Sequence, residues 1–298
     1  PRRCTLTPDE TARAFMNHLR RQWLLGIFLS SGIIGTPDHT MQLLTDTAAI
    51  LRRKYRYRGY IHLKIIPGAS EAAVRRALQL STAVSLNIEA PGRQHFAKLS
   101  SYKDYNRDII APLKLMAAET SRGAEYSKVK CTTQFIVGAS DETDREIVRY
   151  MDGIYNRLNF ERVYFSAYQT GLGKPDLPGE RNFTLDPGGR LTREHRLYQV
   201  DFLMRAYQFN ASEMVYDDKG NLDLSRDPKE TWALSHPEFF PVRINKGDKE
   251  ALLRVPGLGP ISVERILLAR KNFRIRALED VGIRGKLARK AFSYLDFS

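Results

Sequence analysis

The sequence predicts an α/β fold built on parallel strands, and two observations carry the prediction. Between Thr7 and Gly171, apolar runs of strand length alternate five times with stretches of helical period, and each strand run ends in small or polar residues. At 298 residues the chain is long enough to bury a large core and to add a second, smaller domain.

The elements follow in order. Thr7-Pro8-Asp9-Glu10 marks a helix start, with Thr7 as N-cap and Pro8 at the first helical position, and this helix runs to about Gln22. GIFLSSG (26–32) is a short strand, followed by a helix from Pro37 to about Tyr55. YIHLKIIPG (60–68) is the second strand, a helix spans Glu71 to Leu80, and AVSLNIEAP (83–91) is the third strand. After a longer, partly helical stretch come CTTQFIVGA (131–139), a helix from about Thr143 to Leu158, and RVYFSAYQTG (162–171). Strict alternation of this kind implies parallel strands joined by crossover helices.

Composition narrows the classes of function. The formal charge of +13 favours polyanionic partners. No run approaches 18 consecutive apolar residues and no charged segment precedes an apolar one at the amino end, so the sequence shows neither a membrane span nor a signal peptide and reads as cytoplasmic. Its two cysteines, Cys4 and Cys131, are too few and too far apart for a disulfide framework.

In parallel β/α barrels ligands sit at the carboxyl ends of the strands. Those ends carry Ser30, Ser31 and Gly32; His62 and Lys64; Ser85, Asn87 and Glu89; Gln134 and Gly138; and Tyr164, Ser166 and Tyr168. A polar side chain buried without a partner costs about 1 to 3 kcal/mol, so each must be satisfied in the core or face a cavity. Alternation places Ser85, Asn87 and Glu89 on one face, and an amide beside a carboxylate suits the hydroxyls of a ribose.

The succession GIFLSSG, GYIHLKIIPGA, VSLNIEAP, TTQFIVGA and VYFSAYQ, followed by REHRLYQVDFLMRAYQF (193–209), resembles a radical SAM family assigned to DNA modification or repair. Members of that family are often associated with a uracil-DNA-glycosylase-like partner. The resemblance covers nearly the whole chain. It implies a partial (β/α)6 barrel that binds S-adenosylmethionine across its strand ends. Ser30, Ser31 and Gly32 would hold the methionine amine, Asn87 and Glu89 the ribose, and Val137, Gly138, Ala167 and Tyr168 would bracket the adenine; Lys64 and Ser85 line the same ends.

The family also holds a [4Fe-4S] cluster on three cysteines spaced C-x3-C-x2-C, because cluster iron takes soft thiolate ligands. This sequence has no such triplet, and neither Cys4 nor Cys131 sits where the family has a ligand. The family's first strand is missing as well, and the chain begins at Pro1, so the expected arrangement is a barrel lacking its first strand, with the cluster ligated upstream in a full-length parent. Without that segment the chain should not cleave the cofactor.

At the carboxyl end, VPGLGPISVERILLAR (255–270) sits in a pattern similar to the helix-hairpin-helix module of DNA repair and uptake proteins, with a second, weaker hairpin at Val281-Gly282-Ile283-Arg284-Gly285. A hairpin opening into a helix presents free backbone amides at the positive end of the helix dipole, which can hold a phosphate without reading a base. The candidate contacts are Gly257, Leu258, Gly259, Arg265, Arg270, Lys271, Gly282, Arg284, Gly285 and Lys286. From Arg243 to Ser298 there are 13 Lys or Arg against 6 Asp or Glu, a net of +7. Helical hairpins of this kind also serve in protein packing alone, and Leu252, Leu253, Val255, Val263, Ile266 and Leu267 are core on either reading.

The expected organisation is a barrel over residues 1–170, a loop and helical connector over 171–240, and an all-α hairpin domain over 241–298. Thr170 to Leu191, rich in Gly and Pro, reads as a loop over the barrel mouth. Arg193, His195, Tyr198 and Asp201 share part of the helix that follows, His195 reading either as a pocket residue or, in preference, as a surface or packing one. No zinc spacing, nucleophile elbow or Walker loop is present. Three readings of different class fit these observations: part of a radical SAM enzyme acting on nucleic acid, DNA or RNA; a clusterless DNA-binding protein; and a small-molecule enzyme whose hairpins dock a partner protein.

Overall fold

The computed structural model describes residues 5–22, 24–171, 175–181 and 185–298. Pro1 and Cys4 lie outside them. The chain divides into two compact units, Pro1–Glu142 with Tyr150–Phe183, and Thr143–Arg149 with Thr184–Ser298.

The first unit is α/β. Its elements are α1 (Pro8–Arg20), β1 (Gly26–Leu29), α2 (Pro37–Arg53), β2 (Tyr60–Lys64), α3 (Glu71–Leu80), β3 (Ala83–Ser85), α4 (Arg93–Leu99), α5 (Ala111–Glu119), β4 (Lys130–Val137), α6 (Asp144–Leu158), β5 (Arg162–Ala167) and α7 (Pro178–Arg181); the first turns of α6 belong to the second unit. The five strands form one parallel sheet in chain order, β1-β2-β3-β4-β5. Local chemistry sets the helix starts. Thr7, Thr36 and Ser70 each accept a backbone amide from the first turn, and Thr7 completes a capping box with Glu10.

The two faces of this sheet differ. Partners in register share a face, and Ile61, Leu63, Val84, Leu86, Cys131, Phe135, Val163 and Phe165 point to the fully buried one. The other carries Phe28, Tyr60, His62, Lys64, Gln134, Arg162, Tyr164 and Ser166, all partly or fully exposed. An all-parallel sheet is ordinarily apolar on both sides, so this half-exposed polar face positions the site.

Two elements depart from the sequence expectation. The third strand, expected over 83–91, leaves the ladder after Ser85 and rejoins it at a single bridge, Glu89 to Phe135. Glu89 there has φ +65°, the left-handed region that a non-glycine residue rarely occupies, and this breaks the run. The Gly/Pro-rich stretch 170–191 is not a continuous loop: α7 interrupts it, and the next helix already starts at Pro187, where Asp186 accepts the Gly189 amide. Residues 172–174 and 182–184 of that stretch lie outside the described residues.

The second unit comprises α8 (Pro187–Ala206), α9 (Pro228–Ser235), β6 (Val242–Arg243), α10 (Lys249–Arg254), α11 (Pro260–Ala269), α12 (Gly285–Phe292) and β7 (Leu295–Asp296), with β6 and β7 paired in parallel. Leu252, Leu253, Val255, Leu258, Val263, Ile266, Ile275 and Ala291 form its carboxyl-terminal core, with Leu267 packed at its edge. Arg193 and Asp201 are structural here. The Arg193 guanidinium meets the fully buried Asp144 carboxylate at 2.8 Å, Asp201 pairs with Arg205 at 2.6 Å, and His195 stands exposed.

Beneath the turn between α10 and α11, Lys229 is buried, donates from Nζ to the Leu258 carbonyl at 2.5 Å and lies 4.6 Å over the Tyr207 ring. Burial is the main force pulling its ammonium down to about 7, helped by Lys290 and Arg254 and opposed by Asp227. The folded value lies below the unfolded one, so the stabilising contribution is complete above pH 10.5 and is lost as pH falls through 7. This unit should therefore gain stability from pH 7 toward pH 10, and Lys229→Met should flatten that gain; hydrogen exchange of its amides at several pH values is the check.

Among the described residues no helix is long and apolar enough to cross a membrane.

Candidate functional site

The polar strand ends converge on Lys64, Asn87 and Glu89. Lys64, last in β2, is in register with Ser85, which is buried at 6% exposure and in turn aligned with Thr132. The Lys64 ammonium donates to Oδ1 of Asn87, and the Asn87 side chain in turn hydrogen-bonds Glu89. Glu89 is fixed by its backbone, its amide donating to the Gln134 carbonyl at 3.0 Å and its carbonyl accepting from Ile136 at 2.8 Å. One carboxylate oxygen, Oε2, is buried and has no hydrogen-bond partner.

The electrostatics match. Burial pushes the Glu89 carboxyl above its ordinary range, against the pull of Lys64, the Asn87 hydrogen bond and Lys103. Burial likewise pulls the Lys64 ammonium down, against the attraction of Glu89. Below them on the same face, His62 is held down to about 4 by burial and by the Lys64 charge, so it is neutral at pH 7, and its Nε2 is buried without a partner. A left-handed backbone combined with an orphaned carboxylate oxygen is the kind of strain that collects where a ligand completes the site.

The other expected contacts behave differently. Ser30 and Gly32 stand exposed after β1; the Ser31 hydroxyl donates to the Gly32 carbonyl at 2.7 Å, and a Cβ built on Gly32 would meet nothing within 4 Å. Gly138 and Tyr168 are brought together across Gly179 of α7, where a Cβ would lie 2.6 Å from the Gly138 carbonyl oxygen and 2.8 Å from the Tyr168 ring. The Gly138 amide is already taken by Glu142 at 2.5 Å, and the Tyr168 hydroxyl donates to Glu180 at 2.7 Å.

The carboxyl-terminal candidates split by turn. At the first, Gly257 has φ +88° and a Cβ there would sit 2.5 Å from the Leu287 carbonyl oxygen, so its glycine is required by the approach of α12. Leu258 is 2% exposed, and its carbonyl is occupied by Lys229. Arg270 is drawn inward too, donating to the Gly247 carbonyl at 2.6 Å, while Lys271 is exposed. At the second turn Gly282 (φ +71°) and Gly285 (φ +73°) are exposed, and nothing lies within 4 Å of a Cβ on Gly285. Arg284 and Lys286 flank it, both exposed, and Arg265 of α11 reaches over with Nη1 4.0 Å from the Cβ position of Gly282. Helices α11 and α12 start from Gly259 and Arg284 with no side-chain cap, whereas Asp186, Asp227 and Asp248 cap α8, α9 and α10. The exposed first turn of α12 therefore suits an outside acceptor, whereas α11 opens on Pro260, which has no amide hydrogen.

For a metal cluster the donor chemistry does not fit. Among the described residues no three His, Cys, Asp or Glu side chains are arranged to hold a metal ion. Cys131 is buried on the helix-covered face, its thiol pushed up to about 11 by burial despite a contact with the Thr120 hydroxyl, which keeps it protonated and inert.

The residues not singled out from sequence are Tyr60, Arg162 and the buried Lys229. The first two were signalled by alternation, Tyr60-His62-Lys64 and Arg162-Tyr164-Ser166 standing two apart on one face. No family model matches the chain, and no curated protein matches it.

Proposed function

We propose that this chain holds an S-adenosylmethionine-type nucleoside on the polar face of its sheet and nucleic-acid phosphates on its carboxyl-terminal turns, the division of labour of a radical SAM enzyme that modifies or repairs DNA. The observation that carries the reading is the unpartnered Oε2 of Glu89 beside Asn87. A vicinal diol gives that oxygen the donor it lacks, and Asn87, steadied by Lys64, holds the neighbouring hydroxyl. Ser30, Ser31 and Gly32 form the exposed edge suited to the amino-acid end. In this reading the chain-order parallel sheet is the arc of a partial (β/α)6 barrel, and α10–α11 with α12 are paired helix-hairpin-helix elements. Bound S-adenosylmethionine would supply a labile carbon–sulfur bond; the residues described orient it and provide no cluster thiolates.

Equilibrium dialysis with labelled S-adenosylmethionine tests the cofactor arm: one site per chain is expected, weakened at least tenfold in Asn87→Ala. Absence of binding to the wild-type protein overturns it.

The polymer arm rests on the uncapped second turn and the cations Arg265, Arg284 and Lys286 around it. Fluorescence anisotropy with duplex DNA should show affinity falling steeply with salt, and the pair Arg284→Ala and Lys286→Ala should lower the slope of log K against log salt by about 2. Affinity indifferent to salt would instead fit docking of a partner protein. A second reading, a clusterless protein that binds DNA without catalysing a reaction, predicts DNA binding together with failure of the dialysis experiment.

A further inference from the structure

Below Asn87 and Glu89 the polar face continues into an aromatic floor that the cofactor reading does not use. Phe28 is 56% exposed, Tyr60 45% and Tyr164 42%, and all three share a sheet face with His62. Phe28 meets the His62 ring edge-on at 4.6 Å, Tyr60 meets it at 6.2 Å, and the Arg162 guanidinium lies 5.6 Å over the Tyr164 ring.

Two buried polar atoms on this floor lack partners, Nε2 of His62 and Nε of Arg162. The Tyr60 hydroxyl sits 3.3 Å from Nδ1 of His62; a neutral ring that accepts there carries its proton on Nε2, which becomes a fixed donor without a partner. Arg162 Nε is a second donor. Aromatic walls with two buried donors match a flat, apolar-faced heterocycle whose edge carries acceptors, and no aliphatic or purely anionic ligand uses both features.

We propose that this floor is a second subsite, beside the ribose-binding pair, for a nucleobase, with His62 donating to an acceptor on the base edge. The proposal rests on the reading of Asn87 and Glu89 as a cofactor site, and it names the base itself as the part of the polymer that enters the sheet. Enzymes that do chemistry on a base take it out of the stack into such a pocket.

Saturation-transfer NMR with the four deoxynucleosides, and with methyl β-D-ribofuranoside as a sugar-only probe, tests it on the full chain. At least one deoxynucleoside should show transfer to its base protons that persists with S-adenosylmethionine at saturation, whereas any transfer to the sugar probe, which reports the diol site, should then disappear. His62→Phe keeps the ring packing and removes the donor; it should weaken the nucleoside at least fivefold and leave S-adenosylmethionine affinity unchanged. Tyr164→Leu, which leaves His62 in place, should weaken the nucleoside as well. Transfer to no base, wild-type nucleoside affinity in both variants, or displacement by S-adenosylmethionine each overturns the subsite. A nucleoside bound through His62 by a protein that binds no S-adenosylmethionine supports the subsite and removes the cofactor assignment alone.

Discussion

Gly257→Ala destabilises the carboxyl-terminal unit by about 2 to 5 kcal/mol, whereas Gly259→Ala, two residues on, costs less than about 1 kcal/mol. The contrast follows from geometry. At Gly257 the backbone is left-handed, with φ +88°, and a Cβ would stand 2.5 Å from the Leu287 carbonyl oxygen and 3.1 Å from the Ala291 amide nitrogen. Both obstacles are backbone of α12, which cannot swing aside as a flexible side chain could. Left-handed strain and overpacking therefore add. At Gly259 φ is −109°, open to any residue, and the nearest atom is the Tyr207 hydroxyl at 3.2 Å. Urea denaturation of the full chain, with hydrogen exchange to locate the loss in this unit, checks the pair. Equal stabilities would mean that α12 does not pack against this turn.

Glu89→Gln raises the stability of the ligand-free protein at pH 7 while weakening S-adenosylmethionine about tenfold or more, the loss expected when a charged acceptor becomes a neutral one. The stability sign comes from the carboxyl's raised pKa. A group raised on folding contributes its stability below the unfolded value, 4.5, and loses it as pH rises through the folded value. Wild type and Glu89→Gln should thus be matched below pH 4 and diverge in favour of the variant toward neutrality. Thermal melts at pH 3.5 and pH 7, with ligand titrations at pH 7, measure both halves. A purely structural Glu89 would show the opposite: a less stable variant at pH 7 and no change in ligand affinity.

Much of the fold was legible because it follows from short-range rules. Ser70 caps a helix that runs from Glu71 to Leu80 as its spacing predicts, and the five parallel strands fall on the five apolar runs. Strand ends were overextended, most plainly at 83–91, because apolar character continues through Leu86 and Ile88 while the ladder stops at Ser85. Nothing in the residue types announces a left-handed glutamate; the tertiary bridge to Phe135 fixes it.

The site divides in the same way. Alternation was enough to put Asn87 near Glu89, and the Lys64 contact joins two strands whose register the sequence does not state. The Gly-x-Gly of residues 257–259 looked like a ligand pinch from local chemistry alone. Its first glycine answers to Leu287 of α12, thirty residues downstream, and its leucine carbonyl to Lys229, twenty-nine upstream, contacts that periodicity does not encode. The weaker-looking turn at 282–285 keeps its glycines exposed and its helix uncapped.

The central claim is the location of the nucleoside site, and hydrogen-exchange mass spectrometry of the full chain with and without S-adenosylmethionine tests it most directly. Protection is expected in peptides covering residues 60–66 and 85–91, and should disappear in Asn87→Ala. Unchanged exchange in those peptides, or protection confined to the second unit, would contradict the account.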